Sequence, residues 1–169
     1  MPKKPTPEDL RHILSLRTEP CISLFLALPR HGPELAKAPV RFRALVRQAE
    51  TLLGERYDAR RVKALLGPLA GLAEATDVFT PGPESLAAFR ADGLFETYRL
   101  WPAPPEGVVV ADSFHVKPLI RCLQDRHRYL VLALGSRRAT LWEGSERGLV
   151  PRPVPGLPRS AEEAAPAEP

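Results

Sequence analysis

Between Lys37 and Lys63 the chain carries Lys37, Arg41, Arg43, Arg47, Arg56, Arg60, Arg61 and Lys63 against only Glu50, Glu55 and Asp58. Such a cluster neutralises backbone phosphates and releases their counterions, which gives salt-sensitive binding with little discrimination among bases. Arg43 and Arg47 are one helical turn apart, while Arg56, Arg60, Arg61 and Lys63 surround the break after Gly54. Arg43, Arg47, Arg56, Arg60, Arg61 and Lys63 are the candidate nucleic-acid contacts, as contacts and not as catalysts; charge by itself slightly favours the simpler reading of a solvated arginine-rich face.

Other chemistry is sparse. Asp112, His115 and Lys117 lie close in sequence and could form an acid–base group, but a helix start at a domain junction is by far the preferred account of them. His12, His31, His115 and His127 are scattered, without the ligand spacing zinc requires. Phosphate-cradling and nucleophile-elbow glycine motifs are missing. Cys21 and Cys122 each sit in an apolar segment and read as small buried hydrophobes of a reducing compartment. No catalytic residue, cofactor or metal is expected.

The elements that must hold the cations are legible from periodicity. Thr6-Pro7-Glu8-Asp9 supplies a cap, a first-turn proline and two carboxylates for a short helix along Leu10, Ile13, Leu14 and Leu16. Cys21 to Leu28 is almost free of polar groups and closed by Pro29, which predicts a buried strand. A Gly-Pro loop over 30–37 follows. Phe42, Leu45, Val46, Ala49, Leu52 and Leu53 then recur at helical spacing after Pro39. Asp58 caps a second helix through Val62, Leu65, Leu66, Leu69 and Leu72, in which Gly67-Pro68 should kink or split the rod. The pair predicts a helical hairpin.

Beyond the Thr80-Pro81-Gly82-Pro83 break the period falls toward two. Ser85–Phe89 and Phe95–Leu100 flank Ala91-Asp92-Gly93 as a strand hairpin. Pro102-Ala103-Pro104-Pro105 reads as a stiff connector and a domain boundary. Val108–Val110 is a short strand, and Asp112 or Ser113 can cap a helix from about His115 to Gln124. Tyr129–Leu134 pairs with Arg138–Glu143 across Gly135-Ser136-Arg137, and a Pro/Ala/Glu-rich disordered tail is expected from Pro151.

A length of 169 residues, with 44% hydrophobic and 26% charged side chains, suits one domain or one plus part of another and excludes wholesale disorder. Proline is the outlier, at 20 residues, and the net charge of +4 permits a polyanionic partner without demanding one. The amino terminus has no apolar run of signal-peptide length and nothing reaches membrane-spanning length, so a cytoplasmic protein without a membrane partner is expected. The expected organisation is α/β, with α+β as the variant. It has a mixed β-sheet and flanking helical hairpin over 1–105, a partial second α/β unit of helix and strand hairpin over 106–150, and the tail over 151–169.

Several phrases carry a family likeness. The stretch from Asp112 (Asp-Ser-Phe-His-Val-Lys-Pro-Leu-Ile-Arg-Cys-Leu-Gln), then Arg128-Tyr-Leu-Val-Leu-Ala-Leu and Arg138-Ala-Thr-Leu-Trp-Glu-Gly, resembles the junction of first and middle domains in archaeo-eukaryotic peptide chain release factors. Glu19-Pro-Cys-Ile-Ser-Leu-Phe-Leu-Ala-Leu-Pro is similar to their first strand. Arg41-Phe-Arg-Ala-Leu, Asp92-Gly-Leu-Phe-Glu-Thr-Tyr-Arg-Leu and Pro155-Gly-Leu-Pro-Arg-Ser resemble the bacterial branch.

That resemblance, over about 10–160, implies a ribosome-associated role in rescue, release or hibernation, with rRNA or tRNA as partner. Two departures limit it. No two glycines are adjacent, so the Gly-Gly-Gln hydrolysis loop is missing, and Gly54-Glu-Arg-Tyr-Asp-Ala-Arg-Arg lacks the Asn-Ile-Lys-Ser stop-codon element. The chain also resembles a carboxy-terminally truncated member. Its last strand pair would leave an unpaired edge, which favours self-association or a partner chain. A noncatalytic protein-interaction module, or a nonfunctional fragment of a longer factor, is the alternative reading.

Overall fold

The computed structural model of the chain describes residues 2–29, 32–81, 85–124, 128–135, 138–145, 148–156, 158 and 161–164, with 76, 161 and 162 described in backbone only. Two compact units divide between Asp125 and Arg126.

The first unit is built on β1 (Cys21–Ala27), β2 (Ser85–Ala91), β3 (Leu94–Leu100) and β4 (Gly107–Ala111), in the order β3-β2-β1-β4. All three strand pairings are antiparallel, and one parallel bridge joins Lys3 to Tyr98 at the β3 edge. The expected combination of helices and strands is thus met in its α+β form, and the expected mixed sheet is antiparallel in every strand–strand ladder. Asp92 and Gly93 make the β2–β3 turn, where Gly93 takes φ 78°, a left-handed conformation glycine adopts without a Cβ penalty.

Strand alternation gives this sheet two apolar faces. Ile22, Leu24, Leu26, Leu86 and Ala88 face α3 (Ala38–Gly54) and α4 (Ala59–Glu74), whose Phe42, Leu45, Ala49, Leu53, Val62, Leu65 and Leu69 complete that core. Cys21, Phe25, Ala87, Phe89 and Tyr98 point the other way, onto Ile13 of α1 (Pro7–Ser15) and Leu119 of α5 (Lys117–Gln124). The Phe89 ring stands edge-on to Phe25, Tyr98 and Phe114, at 5.7–6.0 Å between centroids. The unit is therefore a helix–sheet–helix sandwich.

Helix ends follow their caps. Thr6 and Asp9 exchange side-chain-to-backbone bonds in a capping box at α1, and the Asp58 carboxylate accepts from the Arg61 N–H at 3.0 Å at α4. Over 30–37 the expected loop instead contains one helical turn, α2 (Pro33–Ala36), opened by its proline.

Three other expectations are corrected. Helix α4 runs unbroken through Pro68, because the Arg90 guanidinium reaches from β2 to the carbonyls of Ala64 (3.5 Å) and Leu65 (3.0 Å) and replaces the donor proline lacks. The boundary expected at 102–105 is displaced to 125/126, because β4 pairs with β1 and α5 packs on the first unit's core. Helix α5 starts at Lys117 rather than near His115, because Ser23, buried in β1, takes the His115 backbone N–H at 2.9 Å.

In the second unit β5 (Tyr129–Leu134), β6 (Ala139–Ser145) and β7 (Gly148–Pro151) form an antiparallel sheet in that order. The last residue of β7, Pro151, and the single turn α6 (Ala161–Ala164) lie in the stretch expected to be tail. The expected turn residues Gly82, Pro83, Ser136 and Arg137, together with His31, His127 and residues 165–169, lie outside the described residues.

Candidate nucleic-acid interface

Helices α3 and α4 and the turn between them carry seven cationic and four acidic side chains between 38 and 74. Their apolar stripes are used up on the sheet, so the charged positions are left on the opposite, solvent-facing side. Arg41, outside the expected set, anchors this layer: it donates to the Ala27 carbonyl at 3.1 Å and pairs with Glu106.

The six expected contacts separate into two groups. Arg43 pairs with Glu74 at 3.3 Å, Arg56 with Glu19 at 3.0 Å, and Arg61 with Asp92 at 3.2 Å. Arg61 also donates to the Glu19 backbone carbonyl at 2.8 Å. The Arg61 and Arg56 guanidinium carbons lie 4.8 and 5.9 Å from the centroid of the Tyr57 ring between them in sequence. Arg56 and Arg61 therefore pin the hairpin tip to the sheet end formed by the start of β1 and the β2–β3 turn. In contrast, Arg47, Arg60 and Lys63 are exposed, and their side chains have no ion pair or hydrogen bond among the described residues.

A groove of about 720 Å³ runs along the α3–α4 seam, lined by Val46, Glu50, Gly54, Tyr57, Val62, Lys63 and Leu66 among others. A smaller hollow of about 190 Å³ shares Val46 and Ala70 with it and includes Arg43, Arg47 and Glu74. Lys63 and Glu50 thus border the groove, and Arg47, Arg43 and Glu74 border the hollow beside it, so a carboxylate offsets part of the positive charge in each. What the surface can do chemically is present fixed positive charge. Among the described residues this surface assembles no cluster of His, Cys, Asp and Glu that could hold a metal ion.

Nor do Asp112, His115 and Lys117 converge. Asp112 accepts from the Ser113 hydroxyl at 3.3 Å, and the His115 ring lies edge-on to Phe25 at 5.9 Å. No bond joins the three side chains among the described residues. Burial, reinforced by the nearby Asp112 and Glu19 carboxylates, pushes the Cys21 thiol above its ordinary value, away from the reactive thiolate. Among the described residues no cluster of three or more His, Cys, Asp or Glu could hold a metal ion, and no helix is long and apolar enough to cross a membrane.

No protein-family model matches the chain, and no curated protein matches it. Among solved structures it is similar to one described as "Archaeal protein", with 18% sequence identity and a TM-score of 0.46. That likeness covers 87% of this chain and 44% of the other, so the chain spans less than half the length of that protein. It carries no argument about function.

Sequence reasoning missed the acidic partners. Glu19, Glu74 and Asp92 lie 31 to 37 positions from the arginines they hold, outside any local pattern. The available signal was the placement of Glu19 just before the first predicted strand and of Asp92 in the predicted hairpin turn.

Proposed function

We propose that the chain is a noncatalytic, cytoplasmic, ribosome-associated module of the release-factor type, acting in rescue or hibernation and gripping rRNA or tRNA phosphates with the α3–α4 hairpin. The carrying observation is the trio Arg47, Arg60 and Lys63, exposed on the hairpin and unpaired among the described residues. Arg43, Arg56 and Arg61 shape and seat the hairpin, and their carboxylate partners offset their charge. Three free cations support phosphate contact without base readout. The family phrases around Glu19, Asp92 and Asp112 support the ribosomal setting, and the reading includes no hydrolytic step.

A second contact is carried by β5, whose six residues are all exposed at the edge of its sheet. That observation favours association with another chain in addition to RNA.

The test of the RNA reading is cosedimentation with ribosomes at low salt. Wild-type protein pellets with ribosomes, and the combined substitution Arg47→Glu, Arg60→Glu and Lys63→Glu releases it. Equal pelleting of the variant overturns the assignment.

A further inference from the structure

We infer that the chain pairs with a second copy of itself through the free edge of β5, joining two three-stranded sheets into one antiparallel sheet of six. The inference rests on the strand-edge half of the reading above and gives it a partner, a register and an axis.

The two edges of the second unit's sheet differ in kind. β7 spans four residues and ends in Pro151, which has no N–H to offer a neighbour. β5 spans Tyr-Leu-Val-Leu-Ala-Leu, without a charge, proline or glycine, and so lacks the devices that protect natural edges. Apolar residues on both faces are the composition of an interior strand. Yet Tyr129, Leu130, Val131, Leu132 and Leu134 are between 37% and 75% exposed.

Charge decides the occupant and the register. A strand bearing a charge on either face would set it against an apolar side chain, a leucine on one face and Tyr129, Val131 or Ala133 on the other, whereas β5 of another copy brings none. For each face to continue across a two-fold axis, opposed residues must differ by an even number of positions. Centring on Val131 would oppose Arg128 to Leu134. Centring on Leu132 avoids this, setting Leu132 against Leu132, Leu130 against Leu134 and Val131 against Ala133. Six leucines then form one band on a single face. The five large apolar residues of β5 expose on the order of 500 Å² per copy, and edge pairing covers only the flanks that face the partner strand, so the interface falls below the range of stable specific complexes and weak association, on the order of tens to hundreds of micromolar, is expected.

Sedimentation equilibrium of the full chain, from low to several hundred micromolar, tests this. Wild-type protein dimerises; Leu132→Lys and Leu132→Glu each weaken the dimer at least about tenfold by setting like charges face to face, and an equimolar mixture of the two recovers it. Circular dichroism establishes that each variant is folded. Independently of any charge effect, Leu132→Cys forms a disulfide-linked dimer under mild oxidation, since Cα atoms opposed across antiparallel strands lie within disulfide reach, whereas wild-type protein does not. A wild-type monomer throughout the range, unaltered dimers of the charged variants, or failure of the mixture and the cysteine variant to associate each overturns the proposal. RNA binding by Leu132→Lys is retained, so loss of RNA binding in a dimerising wild type would remove the ribosomal reading alone.

Discussion

Arg90 is the side chain that lets the cationic hairpin remain straight, and removing it gives a calculable penalty. Pro68 lies inside α4 and cannot donate to the Ala64 carbonyl one turn back. Arg90 donates there at 3.5 Å, to Leu65 at 3.0 Å and to Leu94 at 2.9 Å, and also to the Ala91 carbonyl. Arg90→Met keeps most of the aliphatic stem and removes every donor. Hydrogen bonds from a charged group contribute roughly 1.5–3 kcal/mol each, but the part-exposed carbonyls regain water, so about 2–4 kcal/mol is the expected net loss. For a chain of this size that lowers the unfolding midpoint by roughly 5–15 °C. Pro68→Ala supplies the missing N–H and should make Ala64 independent of Arg90, so the same Arg90→Met change costs about 1 kcal/mol less in that background. Denaturant unfolding followed at 222 nm, where α3 and α4 dominate the signal, measures all four proteins of the cycle. An Arg90→Met cost below about 0.5 kcal/mol, within the scatter of ordinary surface changes, or an identical cost in both backgrounds, would refute the reasoning.

Other consequences separate seating from binding. Arg61→Met should lose about 1 kcal/mol of stability by freeing the tip from Glu19 and Asp92, while Arg60→Met stays within about 0.5 kcal/mol; RNA affinity should fall with Arg60→Met and change little with Arg61→Met. Equal behaviour of the two in paired melting and RNA-binding assays would dissolve the distinction. Partial burial pushes the Asp9 carboxyl up, but the Lys3 ammonium at 2.7 Å and the Thr6 N–H and hydroxyl outweigh it and hold the group below its ordinary value. The unfolded chain therefore binds that proton more readily, and the capping box contributes fully above about pH 4 and fades as pH falls through the native value. Amide protection in α1, corrected for the intrinsic pH dependence of exchange, should fall in acid, and Asp9→Asn, at a cost of about 1 kcal/mol, should flatten that dependence; protection in wild type that does not change in acid argues against it. A Cβ on Gly144 would overlap the Tyr129 ring that covers it across the β5–β6 ladder. Gly144→Val should accordingly lose amide protection in β5 and β6 while leaving β1 and β2 unchanged, and retained protection would contradict that packing.

The elements with short-range causes were legible in the sequence. Thr6-Pro7-Glu8-Asp9 carries its own cap and dipole logic, and α3 shows its buried stripe at Phe42, Leu45, Ala49 and Leu53. Asp92-Gly93 likewise announces its turn. The corrections arise from distant partners. Pro68 reads as a break until Arg90, 22 positions onward, is seen to satisfy the carbonyls it frees. The prolines at 102–105 read as a boundary, although the next strand returns to pair with β1 and so belongs to the same sheet. His115 waits for Ser23, and α5 starts two residues late. The interface divides in the same manner: the positions of its cations are a local pattern, whereas the pairing of Arg43, Arg56 and Arg61 depends on how α3, α4 and the sheet come together.

The salt dependence of RNA binding by the wild type and the Arg47→Glu, Arg60→Glu, Lys63→Glu variant probes the central claim most directly. With a structured RNA followed by fluorescence anisotropy, three phosphate contacts give a log Kd against log salt slope of about 2–3, and the variant has no measurable binding at low salt. A wild-type affinity indifferent to salt, or a variant that binds as tightly as wild type, would contradict it.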